Sequence, residues 1–202
     1  GVSSSDYAKL ASKHLKGVTA YSATGTAMSV VSGRVSYSLR LRGPAATIDT
    51  ACSSSLVSMH MAYSSLLMGQ SVLAFNSGVN LTLAPETPAM FQRVGMTTLD
   101  GRCKTLDASA DGYVRGEATI SSLLSLDGQD CAAVLMGTAV NQAGRSATLT
   151  APNGPSQQEV LRNALMSGET SPDMVIKLQM HGTGTPLGDP IEIGAISAVF
   201  MD

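Results

Sequence analysis

Short apolar runs alternate with longer amphipathic stretches along this chain. The apolar runs are typical of buried β-strands and lie at 45–51, 71–80, 132–140 and 174–180. Apolar residues at helical spacing predict helices at about 53–68, from Pro155 to about Met166, and from Asp189 onward. Because strands and helices alternate, the pattern indicates an α/β architecture.

Local signals mark the ends of these helices. Gly69 is a suitable stop for the first helix. Ser156 opens a capping box that ends at Glu159. Asp189 is expected to be the N-cap of the last helix, with Pro190 first and Glu192 third. Residues 84–117 are rich in Gly, Pro, Asp and Thr and predict a long structured loop with short helices.

Cys52 is the first candidate catalytic residue. An apolar run ends at this cysteine and a helix pattern begins directly after it. Unpaired N–H groups and the helix dipole at such a position favour a thiolate, which is the reactive form of cysteine. The alternative is a buried structural cysteine. Cys103 and Cys131 are interpreted as structural residues.

A second strand-to-helix junction carries His181, which is followed by Gly-Thr-Gly-Thr-Pro. The glycines remove bulk, so a substrate could approach the imidazole, although a histidine packed in the core is the alternative. Thr183 and Thr185 offer hydroxyls that either bind an amide-rich substrate arm or stabilise their own turn. A cysteine and a histidine on two such junctions indicate acyl-transfer chemistry.

Composition narrows the classes of partner. The net charge is −2, charged residues make up 14% of the chain, and no basic stripe is present. Nucleic acid and anionic membranes are therefore not expected as partners. Three cysteines without metal-type spacing argue against a zinc site or a disulfide framework. A reducing compartment is expected, the cytoplasm first and an organelle as the alternative.

Several motifs together resemble one family. Asp-Thr-Ala-Cys-Ser-Ser-Ser-Leu at 49–56 and His-Gly-Thr-Gly-Thr-Pro-Leu-Gly-Asp-Pro-Ile-Glu at 181–192 are similar to the β-ketoacyl synthase (ketosynthase) domain of modular type I polyketide synthases. Further similar segments run along nearly the whole chain, at 21–25, 41–44, 78–80, 100–105, 111–117 and 140–155. The resemblance implies a thiolase-type α/β fold, in which two pseudo-equivalent halves form an αβαβα stack. The fold is expected to be incomplete here, with one half at 1–117 and the start of the other at 118–202.

The resemblance also implies roles for the candidate residues. Cys52 is the acyl-accepting nucleophile. His181 is one of two histidines that assist decarboxylation of a malonyl-type extender, and Thr183 and Thr185 contact the phosphopantetheine arm of an acyl carrier protein. The implied partners are that carrier, neighbouring polyketide synthase domains and a second copy of the chain in a homodimer. No metal or bound cofactor is implied.

The chain departs from the family pattern in several places. The family's second histidine, its lysine and its Gly-Phe-Gly-Gly strip have no counterpart, and the last helix ends while its apolar residues still need partners. We therefore expect a piece of a longer protein that is inactive alone. The stretch 118–128 is shorter and less regular than usual in the family, which puts a surface hairpin or edge region in doubt but not the active site.

Three other functions remain open at this stage. A fatty acid synthase β-ketoacyl synthase shares the chemistry, although the Asn-Gln and Ala-Pro-Asn-Gly-Pro segments favour the polyketide type. A non-catalytic acyl-binding or dimerisation scaffold is the second alternative, and the presence of Cys52 argues against it. A degradative thiolase is the third, and His-Gly-Thr-Gly-Thr argues against that.

Overall fold

The computed structural model describes residues 1–3, 6–14 and 17–201. This part forms two compact units, the first from Gly1–Pro88 and Gly116–Asp130 and the second from Ala89–Arg115 and Cys131–Asp202. Its helices are α1 (Asp6–His14), α2 (Ser22–Thr26), α3 (Ser29–Leu39), α4 (Ser54–Leu67), α5 (Glu86–Arg93), α6 (Gly154–Ser167) and α7 (Gly188–Phe200). Its strands are β1 (Leu73–Asn80) and β2 (Ala118–Ser125), and short 3-10 turns lie at Ala51–Ser53 and Pro172–Met174. The expected division into halves at Glu117 and Ala118 stays a prediction.

The first unit contains a two-stranded sheet. β1 and β2 pair antiparallel from Leu73↔Ser125 to Asn80↔Ala118. The strand expected at 71–80 is therefore confirmed as β1. The doubt about 118–128 was wrong, because β2 pairs with β1 along its whole length and the Ser121 hydroxyl donates to the Ser77 hydroxyl at 3.0 Å.

Helix α4 follows the Cys52 turn and packs on β1. Gly69 ends it with a left-handed φ of 68°, as its sequence predicts, and its amide donates to the Leu66 carbonyl. The apolar repeat that predicted this helix does not mark its buried face, because Leu56 and Leu67 are exposed while Ser54 and Leu66 are buried. The small polar side chains of Ser55 and Ser58 of α4 contact β1, at Gly78 and Asn76 respectively.

Three of the four expected strands do not form in the part of the chain that the structure describes. The segments 45–51, 132–140 and 174–180 contain no residue in a named strand. They were also expected to be buried, yet Val134 and Ile176 are exposed. A strand exists only where a neighbouring strand accepts and donates its backbone hydrogen bonds, and apolar runs alone do not supply that neighbour.

Helices α6 and α7 pack together in the second unit. The N-cap of α6 is Asn153 rather than Ser156, because the Asn153 side chain accepts from the Ser156 amide at 3.1 Å and Pro155 occupies the first turn. The N-cap of α7 is Leu187, and Asp189 lies in the first turn.

The expectation that the apolar residues of α7 need partners outside the chain was wrong in part. Ala195 and Val199 are buried, and the Arg162 guanidinium of α6 donates to the Ala198 carbonyl at 3.1 Å. The long loop at 84–117 holds one helix, α5, which confirms its loop character. Every helix in residues 1–3, 6–14 and 17–201 is too short or too polar to cross a bilayer.

Candidate active site

Cys52 lies in a strained turn of the first unit. It is exposed and occupies the 3-10 turn Ala51–Ser53, which runs directly into α4. Ala51 has a left-handed φ of 54°, a conformation that costs a residue with a Cβ roughly 1–2 kcal/mol. The turn therefore persists only because its neighbours hold it.

Side-chain hydrogen bonds hold this turn. The Asp49 carboxylate accepts from the Ala51 amide at 3.0 Å. The Ser54 hydroxyl accepts from the Thr50 amide at 2.9 Å and donates to the Ala51 carbonyl at 2.6 Å. Ser54 is buried, so its two bonds are partly shielded from solvent. Cys52 is thereby fixed at the N-terminal end of α4, where backbone N–H groups favour an anionic sulfur.

Helix α4 approaches β1 unusually closely behind this turn. A Cβ on Gly78 would lie 2.8 Å from the Cβ of Ser55, closer than carbon atoms can pack. Gly78 is therefore required for the position of α4, and α4 in turn carries the Cys52 turn.

His181 lies in a turn of the second unit whose backbone is held by two carboxylates of α7. The Glu192 carboxylate accepts from the His181 amide at 2.6 Å and from the Gly182 amide at 2.9 Å. The Asp189 carboxylate is buried and accepts from the Gly184 amide at 3.0 Å and the Leu106 amide at 2.8 Å. The His181 side chain itself is exposed.

Sequence reasoning missed these two roles. The sequence analysis interpreted Asp189 and Glu192 as cap and first-turn residues of α7. That interpretation accounts for their spacing but does not predict the backbone N–H groups that they bind. The available signal was the glycine-rich turn before them, since Gly182 and Gly184 adopt left-handed φ values of 55° and 64° and turn their amides toward α7.

Thr183 and Thr185 are half-buried in the same turn. Their hydroxyls lie 3.2 Å apart. Thr185 Oγ1 also accepts from the Gly188 amide at 3.1 Å, so this threonine stabilises the local backbone. The turn brings His181, Thr183 and Thr185 together in the second unit, whereas Cys52 belongs to the first unit.

The loop at 98–112 donates hydrogen bonds to carbonyl groups of the His181 turn, whose amides are held by α7. Thr105 donates to the Gly182 carbonyl at 2.7 Å, and the Gly112 amide donates to the Gly184 carbonyl at 2.8 Å. Within this loop, Lys104 pairs with Asp111 at 2.8 Å and with Asp100 at 3.2 Å. A hydrogen bond from Thr98, together with the one from Lys104, lowers the pKa of Asp100 to about 2.

The remaining cysteines are both exposed. Cys103 Sγ accepts from the Val114 amide at 3.4 Å. Cys131 was expected to flank a core strand, but no strand forms there and its side chain is exposed. The two remaining histidines lie on α1 and α4, where His14 is exposed and His60 is half-buried.

Family models match both parts of the chain. Residues 1–127 match the β-ketoacyl synthase N-terminal domain and residues 132–202 match the β-ketoacyl synthase C-terminal domain. The chain therefore belongs to the β-ketoacyl synthase family.

Several relatives of the chain are polyketide synthases. The chain is 47% identical, over 99% of its length, to a phenolphthiocerol/phthiocerol polyketide synthase of Mycobacterium tuberculosis. It is 46% identical, again over 99% of its length, to polyketide synthase GfsA of Streptomyces halstedii. It spans only 13% of the first of these proteins and 3% of the second.

Solved ketosynthases share the fold. The ketosynthase from module 6 of the bacillaene synthase of Bacillus subtilis 168 matches 92% of the chain with a TM-score of 0.83 and 36% identity. The oxazolomycin ketosynthase domain OzmH KS7 of Streptomyces albus JA3453 matches 87% of it with a TM-score of 0.82 and 34% identity. The chain covers 35% and 31% of these two structures. The thiolase-type α/β class expected from sequence is confirmed, and the chain represents part of it.

Proposed function

We propose that this chain is part of a polyketide synthase ketosynthase that performs decarboxylative Claisen condensation. The observation that carries the proposal is the exposed Cys52 in a strained turn at the N-terminus of α4. It occurs in a chain that is similar over 99% of its length to polyketide synthases. The same similarity favours the polyketide type over a fatty acid synthase.

The first step is acyl transfer to Cys52. The thiolate attacks the carbonyl of an acyl thioester on the phosphopantetheine arm of an acyl carrier protein. The tetrahedral intermediate collapses, the acyl group stays on sulfur, and the carrier leaves as its thiol after taking up a proton. The N–H groups at the start of α4 stabilise the attacking anion.

The second step uses His181. A malonyl-type unit on another carrier loses CO₂, and its carbonyl oxygen gains the negative charge of an enolate. A hydrogen bond donated by the imidazole stabilises this charge as it forms. The enolate carbon then attacks the Cys52 thioester, which releases the thiolate and leaves a β-ketoacyl thioester on the carrier.

Thr183 and Thr185 are proposed to contact the amide-rich phosphopantetheine arm. Either of the two hydroxyls can donate to the other, so the hydrogen of one of them is available for donation to the arm. The chemistry uses the side chains of the chain without a bound cofactor or metal.

We further propose a homodimer, docking of the carrier and neighbouring synthase domains, and a cytoplasmic location. That residues 1–202 are inactive alone stays a prediction.

Acyl loading of the complete synthase tests the proposal. The wild type, Cys52→Ala and the matched control Cys103→Ala are incubated with an acyl thioester, and digested peptides are weighed by mass spectrometry. We expect an acyl adduct on the Cys52 peptide in the wild type and the control, and none in Cys52→Ala. An adduct that persists on another residue within 1–202 in Cys52→Ala would overturn the proposal.

A further inference from the structure

Two polar side chains meet inside the contact between α4 and β1. Ser58, on α4, donates a hydrogen bond to Asn76 Oδ1, on β1. The same hydroxyl also donates to the Ser55 carbonyl of its own helix at 2.9 Å, so its one hydrogen is shared between these two acceptors. Asn76 is only 6% exposed, and Ser58 is half-buried. A buried amide that loses its partner is destabilised, so this contact is directional where apolar packing is not.

The contact lies one helical turn beyond the Cys52 turn. Ser55 presses against Gly78 with no spare room, so α4 cannot move closer to β1. Packing of this kind still permits sliding along the strand or rotation about the helix axis. A hydrogen bond between a fixed strand position and a fixed helix position opposes both motions.

Motion of α4 would reach Cys52 directly. The buried Ser54 opens α4 and is bonded to Thr50 and Ala51 on either side of the left-handed φ angle. A rotation of the helix would therefore strain these bonds and shift the N–H groups at its start relative to the Cys52 turn.

We infer that Asn76 is a positioning residue, which acts through Ser58 to fix α4 on β1 and hold the Cys52 turn in its reactive geometry. The inference rests on the proposal that Cys52 is the reactive thiol. It differs from that proposal because neither Asn76 nor Ser58 touches the substrate.

The alkylation rate of Cys52 tests this inference without any condensation step. Brief iodoacetamide treatment of the complete synthase, followed by peptide mass spectrometry, gives separate rates for Cys52 and for Cys103 in the other unit. Asn76→Ala and Ser58→Ala are each expected to slow Cys52 about fivefold, which is the size of a helix-terminus charge interaction. The Cys103 rate is expected to stay unchanged.

Two further variants separate positioning from general stability. Ser58→Thr keeps the hydroxyl and is expected to retain the wild-type Cys52 rate. Ser64→Ala, on the same helix, removes only a bond to the His60 carbonyl and is the matched control with an expected wild-type rate. If Asn76→Ala does not fold, the Cys52 alkylation rates of Ser58→Ala and Ser58→Thr are compared instead, and a slower rate in Ser58→Ala alone supports the positioning role.

Acyl loading distinguishes failure of this inference from failure of the proposed function. We expect Ser58→Ala to lower kcat for loading while KM for the acyl thioester stays unchanged. Wild-type Cys52 alkylation in Ser58→Ala, or an equal loss in Ser64→Ala, would overturn the positioning role. A wild-type synthase that alkylates at Cys52 but never loads an acyl group would instead overturn the proposed function.

Discussion

Glu192→Gln tests whether the carboxylate of α7 sets the position of His181. In the wild type both carboxylate oxygens accept backbone N–H groups, from His181 at 2.6 Å and from Gly182 at 2.9 Å. Glutamine keeps one acceptor oxygen and places an NH₂ group against the other N–H. One charge-assisted bond is lost, and the second loses its charge.

The expected loss of decarboxylation rate in Glu192→Gln follows from the free energy of the lost hydrogen bond and from the burial of Glu192. A hydrogen bond to a charged group contributes about 1.5–3 kcal/mol. Glu192 is half-buried and His181 is exposed, so water replaces part of the lost interaction and the lower end applies. About 1.5 kcal/mol corresponds to roughly a tenfold change in rate if the bond is needed at the transition state. We therefore expect decarboxylation to fall roughly tenfold.

The assay follows the two proposed steps separately in the complete synthase. Release of labelled CO₂ from a malonyl-type thioester reports on His181, and acyl transfer to Cys52 reports on the other unit. Glu159→Gln, at an exposed position on α6, is the matched control. Equal loss of both steps in Glu192→Gln, or wild-type decarboxylation in a folded variant, would refute the reasoning.

Three further predictions concern the rest of the structure. Cys52 is expected to alkylate faster with iodoacetamide than either other cysteine, and peptide mapping with equal or slower labelling at Cys52 would contradict this. Gly78→Ala is expected to lower the free energy of unfolding by about 1–3 kcal/mol in denaturant titration, because its Cβ would lie 2.8 Å from that of Ser55; an unchanged midpoint would contradict it. Hydrogen bonds from Thr98 and Lys104 lower the pKa of Asp100 from 3.8 to about 2. The Asp100 carboxylate therefore stabilises the loop at 98–112 fully above about pH 4, and this stabilisation is lost as the pH falls toward 2. Hydrogen exchange of this loop checks the loss, and Asp100→Asn is expected to weaken that pH dependence without abolishing it, because the pKa values of Asp107 and Asp111 in the same loop are also lowered.

Local sequence signals predicted α4, α6, α7 and β1, whereas α2, α3 and β2 had no counterpart among the predicted elements. A glycine stop at Gly69 and a proline in the first turn at Pro155 act on their own neighbours, so they can be interpreted without knowledge of the fold. The three unconfirmed strands failed for the opposite reason. Pairing joins residues that are distant in sequence, and apolar runs such as 174–180 do not specify their partners.

The candidate site shows the same division. The sequence predicted that Cys52 and His181 each lie between an apolar run and a helix. The order of apolar runs, helix signals and glycines was sufficient for this prediction. The carboxylate of Glu192 looked like a first-turn residue because its bonds to the preceding turn depend on how that turn folds back. Asn76 was hidden in an apolar run, where only the facing Ser58 gives it a role.

The central claim is that Cys52 and His181 perform separate steps of one condensation. The most direct measurement is His181→Ala in the complete synthase, with acyl loading of Cys52 and CO₂ release followed in parallel. We predict that loading persists, because it needs only the thiolate, while CO₂ release falls on the order of a hundredfold with the loss of a hydrogen-bond donor to the enolate. Loss of loading with CO₂ release intact would contradict the account.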